Sequence, residues 1–345
     1  MISEAPPFWW SNGGWPGAAL SPFGWLYGRV ARYKMENAPR VEVGVPVICV
    51  GNFTVGGAGK TPTALALGRA AIASGRKVGF LSRGHGGTAT GPLIVDPAHH
   101  GAAAVGDEPL LLAEVAPTAV SRDRIEGARL LTASGVDLIV MDDGFQSARL
   151  HFDYGLLAVD AYRGLGNGRL IPAGPVRAPV VDQLRHASAI LKIGEGDAAE
   201  AVVRLAARAA KPIHRAVLAP RETPDLRGKP VLAFAAIGDP EKFFRTVSAT
   251  GADLRRSRPF PDHHAFSDEE AEALMAEARR EKLTLVTTSK DMVRLRTGHA
   301  KAAELASTCR VIAVDLDFFE PSAPEQILDA AQASFVRRKR SGARG

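Results

Sequence analysis

From Val45 onward, short apolar runs alternate with longer stretches whose apolar positions recur at helical spacing, the pattern of strands followed by helices. Val45–Val50, Lys77–Leu81, Thr118–Val120, Val136–Met141, Leu156–Asp160 and Ala189–Ile193 predict strands. Thr61–Ala73, Glu108–Val115, Arg122–Thr132 and Ala198–Ala210 predict the helices between them. This alternation predicts a doubly wound α/β core over residues 37–212. Pro212, Pro220, Pro224 and Pro230 then interrupt the pattern, so residues 213–230 are expected to be a hinge or linker. Beyond it, Val231–Ala236, Ala252–Arg256, Leu283–Thr287 and Val311–Val314 predict strands, and Glu241–Ala249, Ser267–Arg280 and Pro324–Val336 predict helices. The middle helix is opened by Ser267 with Glu270 three residues on, a capping box. Residues 231–336 therefore read as a second, smaller α/β domain. Within the first domain, Gly164 to Pro179 is too long and too rich in Gly and Pro for a routine connection, and is a candidate substrate loop.

The amino-terminal pattern differs. Trp9, Trp10, Trp15 and Trp25 are the only tryptophans, and no charged residue stands between Glu4 and Arg29. Pro6, Pro7, Pro16 and Pro22 rule out a continuous membrane-spanning helix. A helix is expected from Ser21 as N-cap with Pro22 at its first position. Phe23, Leu26, Tyr27, Val30 and Tyr33 then share one face, opposite Arg29, Arg32 and Glu36. Residues 1–36 are read as an amphipathic segment lying in a membrane interface, with docking on the protein's own core as the alternative.

Length and charge narrow the picture. The 345 residues suffice for two domains with real cores. Cys49 and Cys309 lie far apart in apolar runs, which suits buried thiols in a reducing compartment. No secretory signal is visible at the N-terminus, so a cytoplasmic location is expected. Of the net charge of +6, Arg337, Arg338, Lys339, Arg340 and Arg344 contribute +5, leaving +1 for the rest of the chain. That distribution argues against a nucleic-acid partner and reads residues 337–345 as a basic tail suited to anionic lipid.

The chemistry begins at VICVGNFTVGGAGKTPT, residues 47–63, where an apolar run leads into a Gly-rich loop ending in Lys-Thr before a helix. In such a loop successive backbone N–H groups and the helix N-terminus cradle phosphate. Thr54, Val55, Gly56, Gly57, Ala58, Gly59, Lys60 and Thr61 are its members, with Lys60 reaching the β- and γ-phosphates and Thr61 ligating Mg²⁺. Thr54 stands where common phosphate loops have Gly. VDLIVMDD, residues 136–143, closes a strand on two carboxylates, and Asp142 is assigned to Mg²⁺ with Asp143 as its neighbour. Three further stretches carry candidate groups: VGDEP with Asp107 and Glu108, FPDHHAF with Asp262, His263 and His264, and TTSKDMVRL with Lys290 and Asp291. Arg83 in SRGHGG and Arg177 in IPAGPVR are loop arginines suited to bidentate phosphate contact. No Cys/His set has zinc spacing and no G-x-S-x-G elbow occurs, which removes zinc-enzyme and elbow-hydrolase readings. A P-loop NTPase acting as a membrane-associated switch or sorting ATPase is the main alternative to a kinase. For a GTP switch the base-reading spacing fails, because Lys290 and Asp291 in TSKD are adjacent.

Taken in order, GNFTVGGAGKTP, SRGHGG, VGDEP, DDGFQ, IPAGPVR, FPDHHAF and TSKD resemble the tetraacyldisaccharide 4′-kinases, lipid A kinases of Gram-negative bacteria, over nearly the whole chain. Thr54 in the phosphate loop is itself a feature of that resemblance. The resemblance implies a P-loop NTPase-like three-layer α/β/α domain and a smaller α/β/α domain, joined by a two-stranded hinge with ATP between them. It implies ATP- and Mg²⁺-dependent phosphorylation of the 4′-hydroxyl of a tetraacyldisaccharide 1-phosphate, peripheral to the cytoplasmic face of the inner membrane. The implied partners are that lipid and the inner-membrane surface, with no obligate protein partner. It further implies Asp142 as the Mg²⁺-associated carboxylate, Asp107 with His263 as the pair that activates the hydroxyl, and Arg177 at the substrate's charged headgroup. Relatives more often have Tyr where this chain has His85, and His263, directly after Asp262, is the matching histidine of the doublet.

Overall fold

The structure, a computed structural model, describes residues 5–11, 14–147 and 149–342. In chain order its strands are β1 (Val47–Asn52), β2 (Val78–Ser82), β3 (Leu93–Ile94), β4 (Thr118–Val120), β5 (Leu138–Asp142), β6 (Tyr154–Asp160), β7 (Ala189–Ile193) and β8 (Ile213–Pro220). They continue with β9 (Pro230–Ala235), β10 (Asp253–Pro259), β11 (Thr284–Thr287), β12 (Arg310–Val311) and β13 (Val314–Phe318). Nine strands form one sheet in the order β13-β8-β7-β6-β1-β5-β2-β4-β3, and β10-β9-β11-β12 form a second, parallel one.

Every residue of β1, β5, β6 and β7 is buried, because helices cover both faces of a parallel sheet. Ile48 and Val50 pack with Leu67, Phe80 and Val140 on one side. Cys49, with Leu81, Met141, Phe145 and Leu157, fills the other. β1 lies between β5 and β6, and Val50 pairs in register with Asp142. The carboxyl ends of β1 and β5 therefore open onto one edge, where the chain steps from β5 across β1 to β6.

Four expectations about the domains need correction. Residues 213–220, expected in the linker, form β8, parallel to β7 and antiparallel to β13; Pro212 and Pro220 bound the strand without breaking it. The run Val311–Val314, expected as one strand, is divided between the sheets, with β12 in the small lobe and β13 in the large one. The final helix Ala323–Gly342 likewise returns to the large lobe, where Ile327, Leu328 and Ala331 join the core beside Ile48 and Leu67. The small lobe thus spans residues 230–311, and the chain crosses between lobes at 221–229 and 312–313. Nor is 337–342 a separate tail: it is the end of that helix, and Arg338 pairs with Glu42 and, at 3.0 Å, with Asp153, whose other oxygen accepts the Val47 N–H. Arg344 lies outside the described residues.

The amino-terminal helix runs over Gly14–Asn37, so Ser21 and Pro22 are inside it and not at its start. Ser21 Oγ donates to the Gly17 carbonyl at 2.7 Å, and Arg169 donates to both groups. The buried stripe is Gly17, Gly24, Gly28 and Met35. Small residues let the backbone approach the 164–179 stretch so closely that a Cβ on Gly28 would lie 2.5 Å from Leu170 Cδ1. The expected substrate loop is therefore partly the bed of this helix. Trp15, Phe23, Trp25, Leu26, Tyr27, Val30 and Tyr33 are all exposed, which excludes docking of the aromatic face on the protein's own core.

Candidate active site

The phosphate loop is shaped by what β1 must do at its carboxyl end. Asn52 Nδ2 donates to the Gly56 carbonyl at 3.1 Å, and the Val55 N–H donates to the Pro175 carbonyl at 2.8 Å. Thr54 forms an antiparallel bridge with Val176, and among the described residues it is not one with positive φ. Glycine is thus not required there. Gly59 does need its freedom: it holds φ 78°, and the helix Lys60–Ala73 starts directly after it with its free N–H groups toward the loop.

Asp142 reaches this helix. The Thr61 hydroxyl donates to Asp142 Oδ2 at 2.8 Å, while Oδ1 is buried without a partner. Burial first, and the Glu108 charge second, push the Asp142 carboxyl up to about 7 against the pull of Lys60 and Thr61. A lone buried carboxylate oxygen beside a threonine hydroxyl suits a hard divalent cation, which takes oxygen ligands and would relieve that cost. Lys60 Nζ stands 3.5 Å from Asp143 Oδ2. Arg177 Nη1 donates to both Asp143 oxygens, at 2.9 and 3.0 Å, and its Nε donates to the Thr54 carbonyl at 3.0 Å. Arg177, expected at the substrate headgroup, is here engaged by Asp143 and the phosphate loop. Arg83 is exposed and forms no ion pair among the described residues.

A second cluster assembles from both lobes. Asp107 opens the helix Asp107–Ala113, and a Cβ on Gly106, at φ 90°, would lie 2.5 Å from the His85 carbonyl, so the VGDEP and SRGHGG loops touch closely. Asp107 is 3% exposed. Its Oδ1 accepts the Glu108 N–H at 2.9 Å, and its Oδ2 accepts Arg294 Nη2 and Nε at 2.9 and 3.1 Å. His263 Nδ1 lies 3.3 Å from the same Oδ2. Beside it Lys290 Nζ donates to Glu108 Oε1 at 2.6 Å. Burial alone would raise the Asp107 carboxyl, but His263, Lys290 and Arg294 outweigh it and hold it far below the usual range. Contact with Asp107 raises the His263 imidazole against its burial. Glu108 is lowered despite burial, mainly by Lys290 and also by Lys60, which ties this cluster to the phosphate loop.

Of the groups expected to act together, Asp107 and His263 meet, and Lys60, Thr61 and Asp142 meet. His264 does not join them: its Nε2 is 2.7 Å from Glu270 Oε2 and its ring stacks on Phe260 within the small lobe. Asp291 accepts the Ala236 N–H, the Thr288 hydroxyl and Arg294 Nη1, so TSKD builds the junction and reads no base. Arg294 was missed from the sequence. The available signal was its place three residues after Asp291 on one helix, where the two side chains face each other.

A sequence profile of the family described as "Tetraacyldisaccharide-1-P 4'-kinase" matches residues 17–333. The chain belongs to the tetraacyldisaccharide 4′-kinase family. It is 57% identical over 331 residues to the tetraacyldisaccharide 4′-kinase of Agrobacterium fabrum, covering 96% of this chain and 95% of that one. With the tetraacyldisaccharide 4′-kinase of Rhizobium etli it shares 58% identity over 331 residues, 96% of each. Among solved structures, LpxK from Aquifex aeolicus in complex with ATP is similar at TM-score 0.69 and 25% identity, over 92% of this chain and 99% of that one. The likeness to this kinase family covers both lobes, and so includes every segment of the interlobe cluster.

Proposed function

We propose that this chain transfers the γ-phosphoryl group of ATP to the 4′-hydroxyl of a tetraacyldisaccharide 1-phosphate, a lipid A precursor, giving the 1,4′-bisphosphate. One observation carries the reading: in a member of the 4′-kinase family, Asp107 of the large lobe lies 3.3 Å from His263 of the small lobe, beside the loop that holds Lys60. A sugar hydroxyl is a poor nucleophile at neutral pH, and a positioned base supplies roughly 10²- to 10⁴-fold. The Asp107–His263 pair takes the hydroxyl proton. Lys60 and the N–H groups of residues 54–61 bind ATP and stabilise charge on the transferring phosphoryl, the larger part of the acceleration. Thr61 and Asp142 would hold Mg²⁺, which supplies charge neutralisation at the phosphates. Arg83, exposed at the same edge, meets the lipid phosphate, and Arg177 orders the phosphate loop through Asp143.

The exposed aromatic face of residues 14–37 rests in the headgroup zone of the inner membrane, on its cytoplasmic side, and brings the site to its lipid. Among the described residues no helix is long and apolar enough to cross a membrane. The test uses γ-labelled ATP with tetraacyldisaccharide 1-phosphate in mixed micelles. Label is expected in the extracted lipid. Label released only as inorganic phosphate, or none transferred, would overturn the kinase assignment.

A further inference from the structure

We propose that the groove between the helices Val180–His186 and Glu200–Arg208 is a second lipid site, separate from the kinase site, which takes an anionic phospholipid of the bilayer by its headgroup phosphate. The inference rests on the reading that the aromatic face of residues 14–37 lies on a membrane. It adds to that reading a means of telling one bilayer lipid from another.

The groove holds about 490 Å³, within the size of ordinary ligand sites, roughly 300–1,000 Å³. Its floor is apolar, with Val181 and Leu184 from one helix and Leu205 from the other. Leu184 is buried, but Val181 is 54% and Leu205 37% exposed, which leaves apolar surface in water that the glycerol end of a fatty chain would cover. Around this floor stand Arg185, Arg208 and Lys211, and no carboxylate is among the lining residues.

The rim keeps most of its charge. Among the described residues Arg208 forms no ion pair. Lys211 Nζ donates to the Ala187 carbonyl at 2.7 Å and keeps its other N–H groups for a ligand. Arg185 Nη1 is 3.3 Å from Asp182 Oδ1 and 3.8 Å from Glu36 Oε1, but Arg32 also reaches both carboxylates, at 3.6 and 3.0 Å. Three cations over an apolar floor complement a phosphodiester that sits above fatty chains. The two guanidinium groups can each contact a pair of phosphate oxygens, and the ammonium adds a point charge.

The fold turns this groove toward the side that carries the aromatic face. Met35, Leu184, Val202 and Ala206 share one core cluster, so the amino-terminal helix and both groove helices cover the same face of the large sheet. The amino-terminal helix lies directly beside the first of them, through the contacts of Arg32 with Asp182 and of Glu36 with Arg185. The groove also stands apart from the phosphate loop. Each groove helix leaves the carboxyl edge of the parallel strands and runs back, so Leu205, Arg208 and Lys211 lie near the start of β8, whereas the loop hangs on the far end of β1. A phosphate seated on this rim is therefore not the reacting end of the acceptor. The aromatic face supplies insertion into any bilayer, and the groove supplies the preference for an anionic one.

The test irradiates the full chain on vesicles that contain a diazirine-bearing phosphatidylglycerol or phosphatidylcholine, and maps the labelled peptides. Phosphatidylglycerol should label residues 180–186 and 200–211 as well as 23–33. Phosphatidylcholine should label 23–33 but label the groove less by about fivefold or more, the factor for one basic group at an anionic surface. Arg185→Gln with Arg208→Gln should cut groove labelling by phosphatidylglycerol about 5- to 25-fold and spare 23–33. Arg245→Gln with Arg279→Gln removes the same charge from exposed positions of the small lobe and should change neither. Val181→Trp keeps every charge, fills the groove and should also cut its labelling, so it decides if the double arginine variant does not fold. Equal groove labelling by the two lipids, or full labelling in both groove variants, overturns the proposal. So does label displaced by added tetraacyldisaccharide 1-phosphate, which would give the groove to the substrate. Label on 23–33 alone overturns the proposal and leaves the membrane reading standing. Label on the groove alone does the opposite, and label on neither ends both.

Discussion

Two parts of the site meet at the carboxyl edge of the large sheet, one built within a single lobe and the other across two. The phosphate loop hangs on β1, whose residues are all buried, and its register with β5 alone places Asp142 at Thr61. All its residues belong to the large lobe. The proton-handling part is built across the junction, where Val293 of the small lobe packs with Val105 and Leu110 of the large one. Asp107 meets His263 and Arg294, and Glu108 meets Lys290, across the lobe junction through charged contacts. On the proposed reading, the large lobe binds the nucleotide and the junction supplies the groups that handle the proton.

If the loop works alone, its loss should show in both nucleotide binding and turnover. Lys60→Ala removes the cation aimed at the phosphates and leaves Asp143 to Arg177 alone. Its kcat should fall about 10²- to 10³-fold, the scale of one lost preorganised donor. The KM for ATP should rise several-fold in the same steady-state measurement. A normal KM for ATP would erase the contrast with the junction, where Arg294 variants should spare it.

A smaller effect sharpens the other side. The Glu108–Lys290 pair is 2.6 Å long, with side chains 27% and 30% exposed, so screening reduces its strength. A double-mutant cycle with Glu108→Gln and Lys290→Met should give a coupling in kcat of about 1 kcal/mol, roughly fivefold. Additive losses would mean that the pair does not help to hold the lobes in the active arrangement.

The same contrast explains what the sequence revealed. The large sheet was legible because buried parallel strands leave continuous apolar runs, and the phosphate loop because strand, glycines, Lys60 and helix are contiguous. The junction was half legible. Asp107 and His263 came through a family resemblance, but Arg294 lies 187 residues from its partner, and no local pattern announces such a contact. The return of β13 was hidden for a related reason: Val311 and Val314 look like one strand, while only Ile312 and Ala313 carry the chain between sheets. At the amino terminus the aromatic stripe was visible, and the packing stripe was not, because glycines carry no hydrophobic signal although Gly24 and Gly28 allow the close approach to Leu170.

That helix offers the mildest test, since its two faces should fail differently. Deleting residues 1–36 would uncover Leu170 and Ala173 and so confuse membrane binding with folding. Substitution separates them. Phe23, Leu26 and Tyr33 are 64%, 57% and 68% exposed, so changing all three to Ser removes little packing and should shift stability by no more than about 0.5 kcal/mol per site. Turnover on micellar substrate should be unchanged, while flotation with anionic phospholipid vesicles should fall sharply. Gly28→Leu should do the reverse: with 2.5 Å between its Cβ and Leu170 Cδ1, it should cost about 1–3 kcal/mol through overpacking and leave the aromatic face intact. Vesicle binding undiminished by the triple Ser change would show that the exposed aromatic face is not what meets the membrane, and the basic end of the final helix, with Arg337, Lys339 and Arg340, would then be the surface to examine.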